Sequence, residues 1–301
     1  MSFALVDAAL HWALPTPTAG SASSPKFSSR PQLQNVPTST SSAPVSSERT
    51  VVVITDQVRA EGGFLLNHFI HRHLRMEDAG WNVVLVGVAQ MWEHYLLVGK
   101  KLGMNLAAYQ QKGSLVFLDV LSNLGRRTGP FATDKDSSSN SPLRALFETI
   151  VISFHSGSSQ PTKKLCLVID DISALQACGI PLRDIMAFFG SCRDLIQEVN
   201  GCLVVLAHGD AVGTTSSVTG TAPLEVDASG TLCKSLMHTA NYVLHVCGLE
   251  SGITQGVDGQ VSFARGPLMP EGTVFIPEVL HYQITDAQVN FFKKGFSKGL
   301  L

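Results

Sequence analysis

Two stretches of this 301-residue chain hold side chains whose types and spacing could handle phosphate chemistry. The first is Asp56-Gln-Val-Arg-Ala-Glu-Gly-Gly63-Phe64, a glycine-bearing turn between an apolar run and a helical stripe. The second is Asp170-Asp171, which closes the apolar run that starts at Leu165. A first strand, a glycine turn opening a helix and a later strand ending in acids form the skeleton of a P-loop NTPase. In a working loop, G-x-x-x-x-G-K-[ST], backbone amides cradle phosphates, the lysine reaches the β and γ oxygens and the hydroxyl holds Mg²⁺. Here Asp56 or Gln57 stands at the first glycine, Gly62 keeps the second, Gly63 replaces the lysine and Phe64 replaces the hydroxyl residue. Glu61 brings negative charge to the place a phosphate would occupy, so tight ATP binding loses most of its physical basis. No cofactor is therefore expected. Asp170 could hold an Mg²⁺ shell; alternatively, the turn after a buried strand needs polar residues, and an aspartate caps the segment that follows. Without the lysine, the structural alternative is preferred.

Basic groups form the second class of candidates. Arg126 and Arg127 lie in a Gly/Ser/Asp-rich break between Ser122 and Ser141, Lys163 and Lys164 precede a strand, and Lys293, Lys294 and Lys298 lie near the end. Any of these could meet nucleic-acid backbone, which needs only flexible cations within reach. Scattered basic pairs are more often solvated surface. His68, His71 and His73 suggest a metal through their helical spacing, but no nearby residue completes a ligand set, so core or surface histidines are expected. Gly295-Phe-Ser-Lys-Gly299 matches a hydrolase nucleophile elbow in letters only, because that motif must join a strand to a helix and two residues follow it.

Composition narrows the class. Charged residues are 15% of the chain and the net charge is −2, which excludes a basic nucleic-acid grip over the whole surface and leaves room for extensive partner interfaces. The six cysteines are spread singly with no C-x-x-C pair, which suggests buried thiols in a reducing compartment rather than a disulfide framework or zinc knuckle. No N-x-[ST] sequon occurs, and no apolar run approaches a membrane span.

The elements that must position these residues can be read from periodicity. Residues 1–49 are expected to form a disordered arm: the first fifty hold 11 Ser, 5 Thr and 6 Pro, and no acid separates Asp7 from Glu48. A Ser-rich, acid-poor start also fits an organelle transit peptide, although Lys26 and Arg30 are the only Lys or Arg in that interval. From 50 to 301 one α/β domain is expected. Strands are predicted at Val51–Asp56, Asn82–Val88, Ser114–Val120, Leu165–Asp171 and Cys202–His208, and helices at Glu93–Leu102 and Leu182–Val199. Leu66, Phe69, Ile70, His73 and Leu74 form one helical stripe; Leu143, Leu146, Phe147, Ile150, Val151 and Phe154 form another, opened by Ser141-Pro142. His208 to Gly230 reads as loop. Segments 241–246, 260–265, 279–285 and 288–293 read as an antiparallel extension of a mostly parallel sheet with helices on both faces. Ligands of such sheets sit at the carboxyl ends of the strands.

Five strings carry a family resemblance: GGFLLNHFI (62–70), VGVAQMWEHYLLVGKKLGMNL (86–106), KGSLVFLDVL (112–121), LVIDDIS (167–173) and VNFFKKGFS (289–297). From about Val51 to the end, the chain resembles the sixth-subunit family of the Elongator complex. The resemblance implies a RecA-like fold with a degenerate P-loop and a heterohexameric ring built with the fourth and fifth subunits. It further implies attachment to the catalytic Elongator subassembly, and support of tRNA binding and wobble-uridine modification. Arg126 and Arg127 then lead the RNA candidates, since a long loop can line a ring pore. Relatives with this fold use a glutamate after the second strand; the nearest residue here, Gln90, cannot act as a base. The implied placement is cytoplasmic, with the nucleus as a further compartment. The first fifty residues and the loops at Ser122 and His208 have no alignable counterpart. The alternative is an active RecA/KaiC-type ATPase with an unorthodox phosphate loop.

Overall fold

Val51, Val52, Val53 and Ile54 are β-branched, and such a run flanked by polar residues favours a strand buried on both faces. In the computed structural model it forms β1 (Thr50–Asp56), with all seven residues buried. Alternate side chains go to opposite cores: Val52 and Ile54 to one, Val51 and Val53 to the other. The structure describes residues 4–10, 12, 47–123, 142–156, 164–209, 228–249, 252, 254, 256–271, 273 and 275–293.

Around β1 lie β2 (Trp81–Gly87), β3 (Leu115–Asp119), β4 (Lys164–Asp170), β5 (Cys202–His208), β6 (Tyr242–Cys247), β7 (Gly259–Arg265), β8 (Glu278–Ile284) and β9 (Val289–Lys293). Among the described residues they make one nine-stranded sheet in the order β3-β2-β4-β5-β1-β6-β7-β8-β9. The strands from β3 to β6 are parallel; β7, β8 and β9 are antiparallel. The extension therefore begins one strand later than expected, because β6 pairs with β1 in parallel. A helix not predicted from the sequence accounts for this. Residues Ala228–Met237 (α8) cross between β5 and β6, with Leu232, Cys233 and Leu236 fully buried. In β7 to β9 the expected alternation holds: Val261, Phe263, Leu280, Tyr282, Val289 and Phe291 face the core, and the residues between them are half-buried or exposed.

The remaining helices are α1 (Ala4–Ala9), α2 (Gly63–Leu74), α3 (Trp92–Lys101), α4 (Leu106–Gln111), α5 (Pro142–Ser156), α6 (Ile172–Ala177) and α7 (Leu182–Glu198). The α2 stripe is buried as its spacing predicts, and on α5 Leu143, Leu146, Ile150 and Phe154 are buried. Helices α2 and α4 contribute to one core, α5 and α7 to the other. No described helix is long and apolar enough to cross a membrane. Four cysteines are buried; Cys247 is half-buried, and Cys178, at the C-terminal cap of α6, is exposed, contrary to expectation.

The expected boundary at Thr50 also needs correction. Val6, Ala9, Leu10 and Trp12 belong to the same core as α2. Asp7 is buried, 2.9 Å from Nη1 of Arg72 and 3.1 Å from Nε2 of His68. Burial lowers the His68 pKa against the opposing pull of Asp7. Glu48 pairs with Lys164 at 2.7 Å. A short apolar helix and a single tryptophan are submerged when composition is averaged over fifty Ser/Pro-rich residues.

Candidate functional site

Three adjacent strands, β4, β5 and β1, end in polar residues at the same edge of the sheet. Register sets Asp56 beside His208, and Asp170 closes β4. After β1 the chain turns into α2 through Gly62, where an added Cβ would come within 3.1 Å of both Ile54 and Leu206. The position accepts only glycine without displacement, and the Gly62 N–H donates to Asp56 Oδ2 at 2.7 Å. An amide of the kind that cradles phosphate in a P-loop is thus taken by the chain's own carboxylate. At Gly63, the lysine position, an added Cβ would meet nothing within 4 Å. Phe64 serves the core instead of a metal: its ring lies 4.7 Å from that of Tyr282 and 6.1 Å from that of Phe291.

His208 joins the acids. Its Nδ1 is 2.6 Å from Asp56 Oδ1 and its Nε2 is 2.9 Å from Asp171 Oδ2. Both ring nitrogens face carboxylate oxygens, which only accept, so both carry hydrogen and the ring is an imidazolium. The hydrogen bond to Asp171, then that to Asp56, raises its pKa to about 10. Its main chain is anchored too, the N–H donating to Ser173 Oγ at 2.9 Å and the carbonyl accepting from Cys233 Sγ at 3.0 Å. Asp171 also caps α6, accepting from the Ala174 N–H at 2.8 Å. Tyr95 on α3 donates to Asp170 Oδ2 at 2.6 Å. Burial raises Asp170 to about 6 although Tyr95 pulls the other way; burial and Asp170 together hold the phenol well above its ordinary range. Tyr95→Phe removes the donor and leaves the carboxylate less satisfied. It is expected to lower unfolding stability by about 1–2 kcal/mol at neutral pH, measured in urea, with a smaller loss below pH 5 where Asp170 is protonated.

These groups line a cavity of ≈ 710 Å³ together with Glu61, Gln90 and Asn67. Gln90 and Glu61 are exposed on its wall. The other candidates lie elsewhere. Lys164 begins β4 at the opposite end of the sheet, paired with Glu48 and 5.9 Å from the Trp81 ring centre. Lys293 pairs with Glu278 at 3.2 Å. Arg126, Arg127, Lys163, Lys294 and Lys298 fall outside the described residues. His73 is buried with Nδ1 2.8 Å from the Phe69 carbonyl, and His71 is half-buried, with burial lowering its pKa to about 4. Among the described residues no three His, Cys, Asp or Glu side chains are grouped to hold a metal.

His208 and Tyr95 were not singled out by sequence reasoning. Their visible signal is weak: His208 ends a predicted strand, and Tyr95 sits within a predicted helix.

The family model described as Elongation complex protein 6 matches residues 32–286. The chain belongs to this family. Members named Elongator complex protein 6 include one from Xenopus tropicalis, 29% identical over 84% of this chain and 94% of its own. The human one is 28% identical over 86% and 96%, and the mouse one 28% over 90% and 99%. Among solved structures, a KaiC-like protein from Pyrococcus horikoshii superposes with a TM-score of 0.53 at 13% identity, covering 81% of this chain and 90% of that one. That likeness bears on the fold, which is RecA-like. In this member of the Elongation complex protein 6 family, the phosphate-loop region of the fold carries a carboxylate and imidazolium cluster.

Proposed function

We propose that the chain is a non-catalytic subunit of Elongator. In this reading it joins the fourth and fifth subunits in a heterohexameric ring that attaches to the catalytic subassembly and supports tRNA binding and wobble-uridine modification. One observation carries the non-catalytic part: Asp56 holds the Gly62 amide, while Gly63 and Phe64 stand at the lysine and hydroxyl positions. An incoming triphosphate would meet carboxylates instead of donors. The names of the relatives support membership of Elongator. The low charge content supports life in an assembly, since it leaves room for extensive partner interfaces.

Co-expression with fourth and fifth Elongator subunits, followed by mass measurement, is expected to give a heterohexamer. That assembly should bind tRNA with an affinity that falls steeply with salt. The chain by itself is expected to hydrolyse no ATP. Turnover by the isolated chain that disappears in Asp170→Ala would return the site to an active ATPase and end the non-catalytic reading.

A further inference from the structure

The cavity at the strand ends contains more negative charge than its own cations neutralise. Asp56, Glu61, Asp170, Asp171 and Asp286 line it against Lys101 and the His208 imidazolium. Asp56 and Asp171 are both held by His208, but Asp170, only 6% exposed, accepts a hydrogen bond at Oδ2 alone among the described residues. Asn67, also 6% exposed and on the same wall, leaves its buried Oδ1 without a hydrogen-bond partner; its amide donates to the Gly63 carbonyl at 3.3 Å. On this one cavity the buried amide oxygen of Asn67 lacks a donor, a condition that buried polar groups seldom keep, and the second carboxylate oxygen of Asp170 accepts from no described group. The wall also has polar members, Gln90, His94, Thr285 and Gln288, and an apolar part that includes Phe64, Val98 and Leu102.

We propose that this cavity binds an aliphatic cation, an alkyl chain ending in a guanidinium or ammonium group, with the head on Asp170 Oδ1 and Asn67 Oδ1. Such a ligand supplies the missing donors and the missing positive charge together, and its methylenes cover Phe64, Val98 and Leu102. A phosphate is repelled by the same carboxylates. A divalent metal lacks the convergent ligands it needs, because His208 already engages two of the three strand-end acids.

Isothermal titration of the full chain with agmatine, spermidine and N-acetylarginine amide tests the site, with magnesium chloride as the inorganic comparison. At least one organic cation is expected to bind saturably, and more weakly as salt rises. Asp170→Asn keeps an acceptor for Tyr95 but removes the charge; it should weaken binding roughly 10- to 100-fold, as should Asn67→Leu, with thermal unfolding confirming that each variant folds. Glu61→Gln on the exposed wall, which leaves the buried cluster intact, should reduce affinity by a smaller factor. Capped arginine binding as well as agmatine would identify the source as a side chain of a neighbouring protein; preference for agmatine or spermidine would identify a free amine. No saturation by any of the three at millimolar concentration, tighter binding of magnesium, or affinities unchanged in all three variants overturns the proposal.

Discussion

Replacing Trp12 with alanine is expected to reduce unfolding stability by about 3–5 kcal/mol, the range for deleting a buried large aromatic. Trp12 is 3% exposed although it stands in a stretch whose composition suggests an arm. Its ring meets Phe69 at 5.7 Å, Tyr242 at 5.9 Å and His73 at 6.3 Å between centres, all edge-on, and the Arg72 guanidinium lies 5.1 Å from its centre. Loss of the indole opens a cavity between α2 and β6 and loosens α1. Asp7 on α1 would then hold its ion pair with Arg72 less firmly, and its own loss removes a carboxylate from a buried cation. Asp7→Ala should therefore be destabilising as well, and the double variant less than additive, because both act through the docking of one short segment. Urea unfolding of the two single variants and the double variant measures this. A Trp12→Ala loss under 1 kcal/mol would show that residues 4–12 add little to the fold and that the domain begins near Thr50.

How much of this was legible beforehand depended on range along the chain. β5 coincides with the predicted Cys202 to His208, and β1 and β4 differ from expectation by one residue at their ends, because continuous short apolar runs bounded by polar residues permit little else. Helices α1, α4 and α6 have six residues each, too short for a 3.6-residue period to show. The parallel pairing of β6 depended on recognising α8, whose stripe of Leu232, Cys233 and Leu236 adjoins a stretch that reads as loop. At the site, the Gly62–Phe64 turn and Asp170 were visible because they belong to a local pattern. His208 reaches Asp56 across 152 residues and Tyr95 reaches Asp170 across 75. Those contacts exist only once β5 is placed beside β1 and α3 against the end of β4, which a pattern of residues does not specify.

His208→Ala is the stronger probe of the strand-end cluster, because it removes a cation that bridges Asp56 and Asp171. Both carboxylates are nearly inaccessible, at 1% and 2% exposure, and among the described residues each keeps a single backbone donor, the N–H groups of Gly62 and Ala174. Breaking a fully buried ion pair costs about 3–5 kcal/mol, but the imidazole is half-exposed and water screens part of the interaction, so the expected loss is about 2–3 kcal/mol at neutral pH. The pH dependence gives a sign that lost packing would not. A pKa raised from the ordinary histidine value to about 10 means that the folded protein holds this proton more tightly than the unfolded chain does. The contribution is complete below the ordinary value of 6.5, shrinks as pH rises above it and is gone once pH passes about 10. Asp170, raised to about 6 in the natural chain, titrates in a lower window. The stability gap between the natural chain and His208→Ala should therefore be widest at about pH 6.5, narrow from there through neutrality and close as pH approaches 10, measured by urea unfolding at constant ionic strength. A gap of the same size at both ends of that range would mean that the ring is neutral and that His208 acts through packing alone.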